Sequence, residues 1–386
     1  MKQDTIVNAR VVTMAGDPLP LGTVHASDGV IRSIEAQNAP VEAKTGEQDA
    51  AGRVLMPAFI DCHTHACWAG ERLDEFDMKL KGATYLDILK AGGGIMSTVR
   101  AVREADETDL EHMLADRLEN AFDEGTLTFE IKSGYGLTTR DELKMLRAIH
   151  EVGNRAICDI VPTALIAHAI DPEQPDFIET TITETLDAVH AEFPGITIDA
   201  YCEEGAWSFE DCRRLFDRAM GLGHPCRVHA DQFNSLGMTK WAAEHGFTSV
   251  DHLEATTPED LEFLAQSNTF GVMLPCSGFQ VDDRYANGRA FVDAGGLPVI
   301  ATNCNPGSAP TSSMPFAIAL ATRKLGLTVN EALAACTVNA AKLLGFDDRG
   351  VIAPGKRADM ILLRHRDERM LAYEFGGNPV EKTFSR

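Results

Sequence analysis

The sequence predicts an α/β protein, a (β/α)8 barrel of the TIM type with a small β-sandwich domain built from both ends of the chain. Three observations carry that expectation. Apolar runs alternate with helical patterns through the middle of the chain, as in βα units around a parallel sheet. Eight such runs occur, at 58–61, 126–131, 159–165, 196–202, 226–228, 248–250, 269–274 and 299–301, and eight strands are what a closed barrel requires. The 386 residues exceed one ordinary core but suit a barrel of roughly 250 residues plus an appended unit.

Taken in order, residues 1–56 hold short β-type runs, Thr5-Ile6-Val7, Arg10-Val11-Val12-Thr13 and Gly29-Val30-Ile31-Arg32-Ser33-Ile34, broken by turn signals at Gly16-Asp17-Pro18 and Asp28-Gly29. They are too few to close a sheet alone. Near the other end, Gly350 to Asp359 precedes the strand Met360-Ile361-Leu362-Leu363, so 1–56 and 350–386 are expected to form the small domain and 57–349 the barrel. The first barrel strand, from Pro57, runs into Asp61-Cys62-His63-Thr64-His65. Residues i and i+2 of a strand share a face, so both imidazoles can meet one ion. Between the first two strands lies a long insertion, with Gly92-Gly93-Gly94 as an expected flexible hinge and one helix expected from about 97 to 124.

A net charge of -23 and a pI near 4.9 argue against nucleic acid or an anionic membrane as partner. The nine cysteines are scattered, odd in number and free of Cys-X-X-Cys spacing, which fits reduced thiols in a cytosol. No apolar run approaches the ~18 residues of a membrane span, and Met1-Lys2-Gln3-Asp4 does not open a signal segment. The expected location is cytoplasmic.

The residues just past each strand are rich in ligand and titratable types. They are His63 and His65; Lys132-Ser133-Gly134-Tyr135-Gly136; His168; Glu203 and Glu204; His229-Ala230-Asp231-Gln232; Asp251-His252; Pro275-Cys276; and Thr302-Asn303-Cys304-Asn305-Pro306-Gly307. In a barrel these loops converge on one mouth. Arg72, a few residues past the histidine pair, offers a planar fork suited to a carboxylate.

The run from Pro57 to about Pro379 resembles the amidohydrolase superfamily and, within it, the imidazolonepropionases, which open 4-imidazolone-5-propanoate to N-formimino-glutamate in histidine breakdown. The stretches that carry the resemblance are Phe59-Ile60-Asp61-Cys62-His63-Thr64-His65, Gly82-Ala83-Thr84-Tyr85, Ala91-Gly92-Gly93-Gly94-Ile95, Lys132-Ser133-Gly134-Tyr135-Gly136-Leu137, Cys202-Glu203-Glu204-Gly205-Ala206, His229-Ala230-Asp231-Gln232, Asp251-His252-Leu253-Glu254 and Asn305-Pro306-Gly307-Ser308. The resemblance implies His63, His65 and His229 as ligands of one divalent metal ion, zinc first with iron or nickel as alternatives, and His252 beside it. It implies Arg72, Tyr85, Tyr135 and His168 as the grip on a small substrate with a carboxylate, an unmodified Lys132, and a homodimer.

Two positions depart from the family pattern. The aspartate expected after the eighth strand is Asn303, whose amide cannot accept a proton, and a glycine expected after the seventh is Cys276. Beside a metal and histidines, the Cys276 thiolate is expected to be nucleophilic. The favoured expectation is therefore a desulfhydrase acting at C2 of a thiohydantoin propanoate, 3-(5-oxo-2-thioxoimidazolidin-4-yl)propanoate from ergothioneine breakdown, and releasing sulfide. The alternative is an imidazolonepropionase in which water attacks C2 of the ring while His252 and Glu204 carry protons. A non-catalytic ligand-binding paralogue is the third reading.

Overall fold

The computed structural model describes residues 3–83, 87 and 91–385. The N-terminal strands are β1 (Gln3–Val11), β2 (Leu19–Ser27), β3 (Val30–Ala36), β4 (Gln48–Asp49) and β5 (Val54–Pro57), and β5 leads straight into β6 (Phe59–Thr64). The barrel strands continue as β7 (Thr126–Lys132), β8 (Asp159–Ala167), β9 (Thr197–Cys202), β10 (Arg227–Ala230), β11 (Ser249–His252), β12 (Phe270–Met273) and β13 (Pro298–Ile300). The chain ends with β14 (Met360–Leu363) and β15 (Val380–Phe384).

Among the described residues these strands form two sheets. The terminal strands pair in the order β15-β14-β5-β1-β2-β3, with β4 beside β1, as one hydrogen-bonded path. They enclose an apolar cluster of their own, including Ile6, Val24, Ile31, Leu55, Met360, Leu362 and Phe384. The other sheet runs β6 to β13 in sequence order, and every pairing in it is parallel. β6 and β7 are buried at every position, as strands covered on both faces must be.

The two edges of the barrel sheet meet through the segment that follows β13. His65 N donates to the Cys304 carbonyl at 3.0 Å, and Asn303 N donates to the His63 carbonyl at 3.1 Å. Below them Thr302 donates to the buried Asp61 carboxylate from N at 3.1 Å and from Oγ1 at 2.5 Å. Asn303 takes a left-handed conformation, φ 58, which asparagine tolerates better than most residues. The seam thus holds residues 302–304 beside the His63/His65 pair.

The helices begin with caps readable in the sequence. Thr138, Ser208 and Thr257 accept from the amides of Asp141, Asp211 and Asp260. The insertion differs from the expected single helix. Over 97–124 two helices form, Ile95–Glu104 and Glu107–Asp123, because Asp106 caps the second by accepting from Asp109 N at 2.8 Å, and a further helix, Leu73–Leu80, precedes them. Nor is Gly94 a free hinge: it starts the helix Ile95–Glu104, and its N donates to Glu75 Oε1 at 3.0 Å. The nine cysteines are unpaired and buried, and among the described residues no helix is long and apolar enough to cross a membrane.

Thr302→Val should cost about 1–3 kcal/mol in denaturant unfolding, because it removes the Oγ1 donor from a carboxylate sealed in the seam. Thr302→Ser should stay near wild type; equal losses would show that the methyl contact, not the hydrogen bond, holds the seam.

Candidate active site

His63 and His65 stand on one face at the end of β6, and His229 stands on β10 across the barrel. All three are buried, and their ligand atoms lie within 4.8 Å of one another. His63 turns Nδ1 to Asp251 Oδ2 at 2.6 Å, and its Nε2 is buried without a hydrogen-bond partner. His229 turns Nδ1 to Asp199 Oδ1 at 3.1 Å, and its Nε2 comes within 3.2 Å of His65 Nε2. Burial, then neighbouring Lys132 and histidines, holds His63 well below the ordinary imidazole range, and burial lowers His65 and His229 in the same direction. Neutral rings with lone pairs converging, each of two backed by a carboxylate, make a donor set that fits a divalent ion. The set fits zinc, iron or nickel alike.

Beneath the histidines lies a layer of buried charge, of which the sequence reading singled out Lys132 and Asp251 but not Glu130, Asp199 or Arg227. Lys132 Nζ donates to Glu130 Oε1 and Asp199 Oδ2, both at 2.8 Å. Arg227 Nη2 donates to Asp251 Oδ2 at 2.7 Å. Burial raises Asp199, yet His229 and Lys132 overcome it and hold its carboxyl well below the usual range. Burial and Arg227 lower Lys132, but Asp199, Glu130 and Asp251 outweigh them and keep it charged. Lys132 is thus committed to two carboxylates. A signal for this layer did exist: Glu130, Asp199 and Arg227 are charges within apolar strand runs, and a charge buried there needs an opposite partner.

The residues expected to grip substrate surround this centre in part. His168 stacks on His65 with ring centroids 4.9 Å apart, and Tyr135 lies 5.2 Å from His168 and 6.0 Å from His65. The loop that carries Tyr135 is held by Glu142, another residue the sequence reading missed, which accepts from the amides of Gly134, Gly136 and Leu137 at 2.7–2.9 Å. Gly134 has φ +116, and a Cβ there would meet His168 Nδ1 at 3.0 Å. Only glycine lets this loop pass so close to the ring. Arg72 lines a cavity of about 490 Å³ with Trp68, Phe76, Arg117, Pro306 and Gly307, and pairs with Glu75 at 2.6 Å. The three histidines are not among the residues lining that cavity. Tyr85 lies outside the described residues.

His252 is buried, 5.6 Å from His229 and 6.2 Å from His63 between ring centroids, and contacts Glu254 Oε1 at 3.2 Å. His252 and Leu253 both have positive φ, 94 and 74, a strain that recurs at functional sites. Glu204, expected to carry protons, is exposed. Its neighbour Glu203 is buried and spent on the Phe233 and Asn234 amides and the Asn234 side chain. Asn303 Oδ1 is buried without a partner.

Cys276, expected as a nucleophilic thiolate, lies in apolar surroundings. Its side chain packs into the main apolar core, and burial drives its thiol far above the ordinary range, with Asp61 and Cys304 adding to the shift.

Comparison with known proteins decides the family. The profile of the Amidohydrolase family matches residues 54–385. The chain belongs to the amidohydrolase family. Among curated relatives of this amidohydrolase, an imidazolonepropionase of Herpetosiphon aurantiacus is 43% identical over 96% of this chain and 93% of its own. One of Deinococcus radiodurans is 41% identical over 92% and 88%. In fold the chain is similar to a 5-methylcytosine deaminase from Klebsiella pneumoniae, TM-score 0.78 at 18% identity over 99% and 96% of the two chains. It is also similar to an adenosine deaminase from Xanthomonas campestris with bound zinc, TM-score 0.70 at 17% identity over 99% and 91%.

Stripping divalent ions with a chelator should lower the unfolding temperature, and returning them should restore about 2.7 kcal/mol at a hundredfold excess over Kd. His229→Ala should abolish that response. Cys276→Ala should lower stability by about 1 kcal/mol and leave turnover within a few fold; loss of turnover at full metal content would return the thiol to the chemistry.

Proposed function

We propose that this amidohydrolase is an imidazolonepropionase, opening the ring of 4-imidazolone-5-propanoate to N-formimino-glutamate. The observation that carries the reading is the identity of about two residues in five, over nearly the whole chain, with relatives of that name. The histidine cluster supports the same class of chemistry.

His63, His65 and His229 would hold a divalent ion, which would supply Lewis acidity to lower the pKa of water. The remaining work falls to the chain. Arg72 binds the propanoate carboxylate, and Tyr135 and His168 hold the ring by its polar edge. The product keeps C2 between two nitrogens as its formimino carbon. The bond that breaks therefore joins N3 to the lactam carbonyl carbon, water oxygen enters the new carboxylate, and N3 takes a proton. This corrects the expectation of attack at C2, which the product does not allow. With Asn303 unable to take a proton and Glu204 exposed, His252 is the group that accepts the water proton and returns it to N3.

A second reading keeps one supporting observation. Attack at C2 with loss of hydrosulfide from a thiohydantoin propanoate still needs an acceptor for the water proton but not the aspartate's second task of protonating the leaving group, because sulfide leaves as a far weaker base than an amidine nitrogen. Asn303 favours it, whereas the buried Cys276 does not.

Purified, metal-replete protein should convert imidazolone propanoate to formimino-glutamate, with oxygen from labelled water in the new carboxylate. Sulfide release from the thiohydantoin without formimino-glutamate from the imidazolone would establish the second reading, and tight binding of either ring with no turnover would mark a binding protein. Asn303→Asp should raise the ring-opening kcat by roughly tenfold or more; no gain would remove Asn303 from the mechanism.

A further inference from the structure

Arg227 is fully buried on β10, two residues before His229. Its guanidinium crosses the barrel to the strand of another ligand. Nη1 donates to the Cys62 carbonyl at 2.8 Å and Nη2 to Asp251 Oδ2 at 2.7 Å, and that oxygen is the one His63 Nδ1 meets at 2.6 Å. Ser249 completes the ring of contacts, accepting from Arg227 Nε at 2.8 Å and donating to Asp251 Oδ1 at 2.6 Å.

We infer that Arg227 is a positioning residue for the metal centre: with Ser249 it fixes the Asp251 carboxylate and the Cys62 carbonyl as a frame that holds the His63 ring with Nδ1 protonated and Nε2 open to an ion. The inference rests on the metal reading of the site, and it assigns this work to a residue that touches neither the ion nor the substrate.

The alternative is a plain barrel staple, and the contacts argue against it. A buried ion pair is poor value as a staple, since apolar replacements of similar volume are often neutral or stabilising. Among the described residues the hydrogen bonds of this guanidinium end on the His63 backbone neighbour, on the carboxylate that orients His63, and on the hydroxyl that orients that carboxylate. Lys132 plays the corresponding part for His229 through Asp199. The two branches approach each other where Lys132 comes within 3.9 Å of Asp251 and Arg227 within 3.5 Å of Glu130. Three carboxylates, Glu130, Asp199 and Asp251, face two cations, Lys132 and Arg227, so the layer carries one net negative charge beneath a divalent ion. Lysine at 227 would keep the charge but lose the fork that spans Cys62, Ser249 and Asp251.

The test loads wild type, Ser249→Ala, Arg227→Lys and Arg227→Met with Co(II). Release to a chelator and the visible Co(II) spectrum are followed beside the thermal unfolding of the metal-free proteins. Ser249→Ala removes no charge and keeps the measurement available where Arg227→Met fails to fold. The expected result is release faster by roughly 10- to 100-fold for Arg227→Lys, a smaller acceleration for Ser249→Ala, and a shifted spectrum in both, whatever each substitution costs the metal-free protein in unfolding temperature. Unchanged release and spectra, with lowered metal-free stability, would overturn the proposal and leave Arg227 a staple. Failure of the metal reading looks different: wild type would take up no ion, or His229→Ala would keep it.

Discussion

Barrel closure is the constraint on which the active site depends. β6 carries His63 and His65, and the last barrel strand reaches it only through the short run Thr302-Asn303-Cys304, which pairs with the backbone of those same histidines. One set of hydrogen bonds therefore closes the sheet and sets Asn303 beside the His63/His65 pair. It also explains the left-handed backbone at 303. A side chain at that position is placed by the fold before chemistry selects it, so exchanging aspartate for asparagine changes the proton inventory and not the architecture.

The charged layer under the histidines follows from the same geometry. Inward-facing residues of a parallel barrel stack in layers, and here the layer below the ligands is ionic where an apolar one would pack more cheaply. Burying Lys132 and Arg227 has a large desolvation penalty, and the carboxylates they pair with are the ones that meet Nδ1 of His63 and of His229.

Much of this was legible in the amino-acid order, for physical reasons. Strand runs and their polar ends could be read because a parallel strand buried on both faces leaves a continuous apolar word, and the histidine spacing in β6 carries its own geometry. What sequence reading lost was mostly nonlocal. The partners of Glu130, Asp199 and Arg227 sit on other strands, so their pairing is invisible until the barrel closes. Asp106 was a missed local signal, a capping aspartate with Glu107 and Asp109 behind it that divides the expected helix over 97–124 in two. Cys276 shows another limit: a strand-end position implies proximity to the mouth but not direction, and its thiol packs among core residues.

The threading of the small sheet bears on how the chain is made. β5, which launches the barrel, lies between β1 and β14, and Ala58 N donates to the Asp359 carbonyl at 3.0 Å. On the ribosome, the strand that begins the barrel waits for a neighbour translated some three hundred residues later, and contacts of such long sequence separation form slowly. A nascent chain halted before β14 would expose the flank of β5 beside a barrel whose own strands and seam are already made. Chaperone demand during synthesis should therefore be set by the final portion of the message rather than by the catalytic strands.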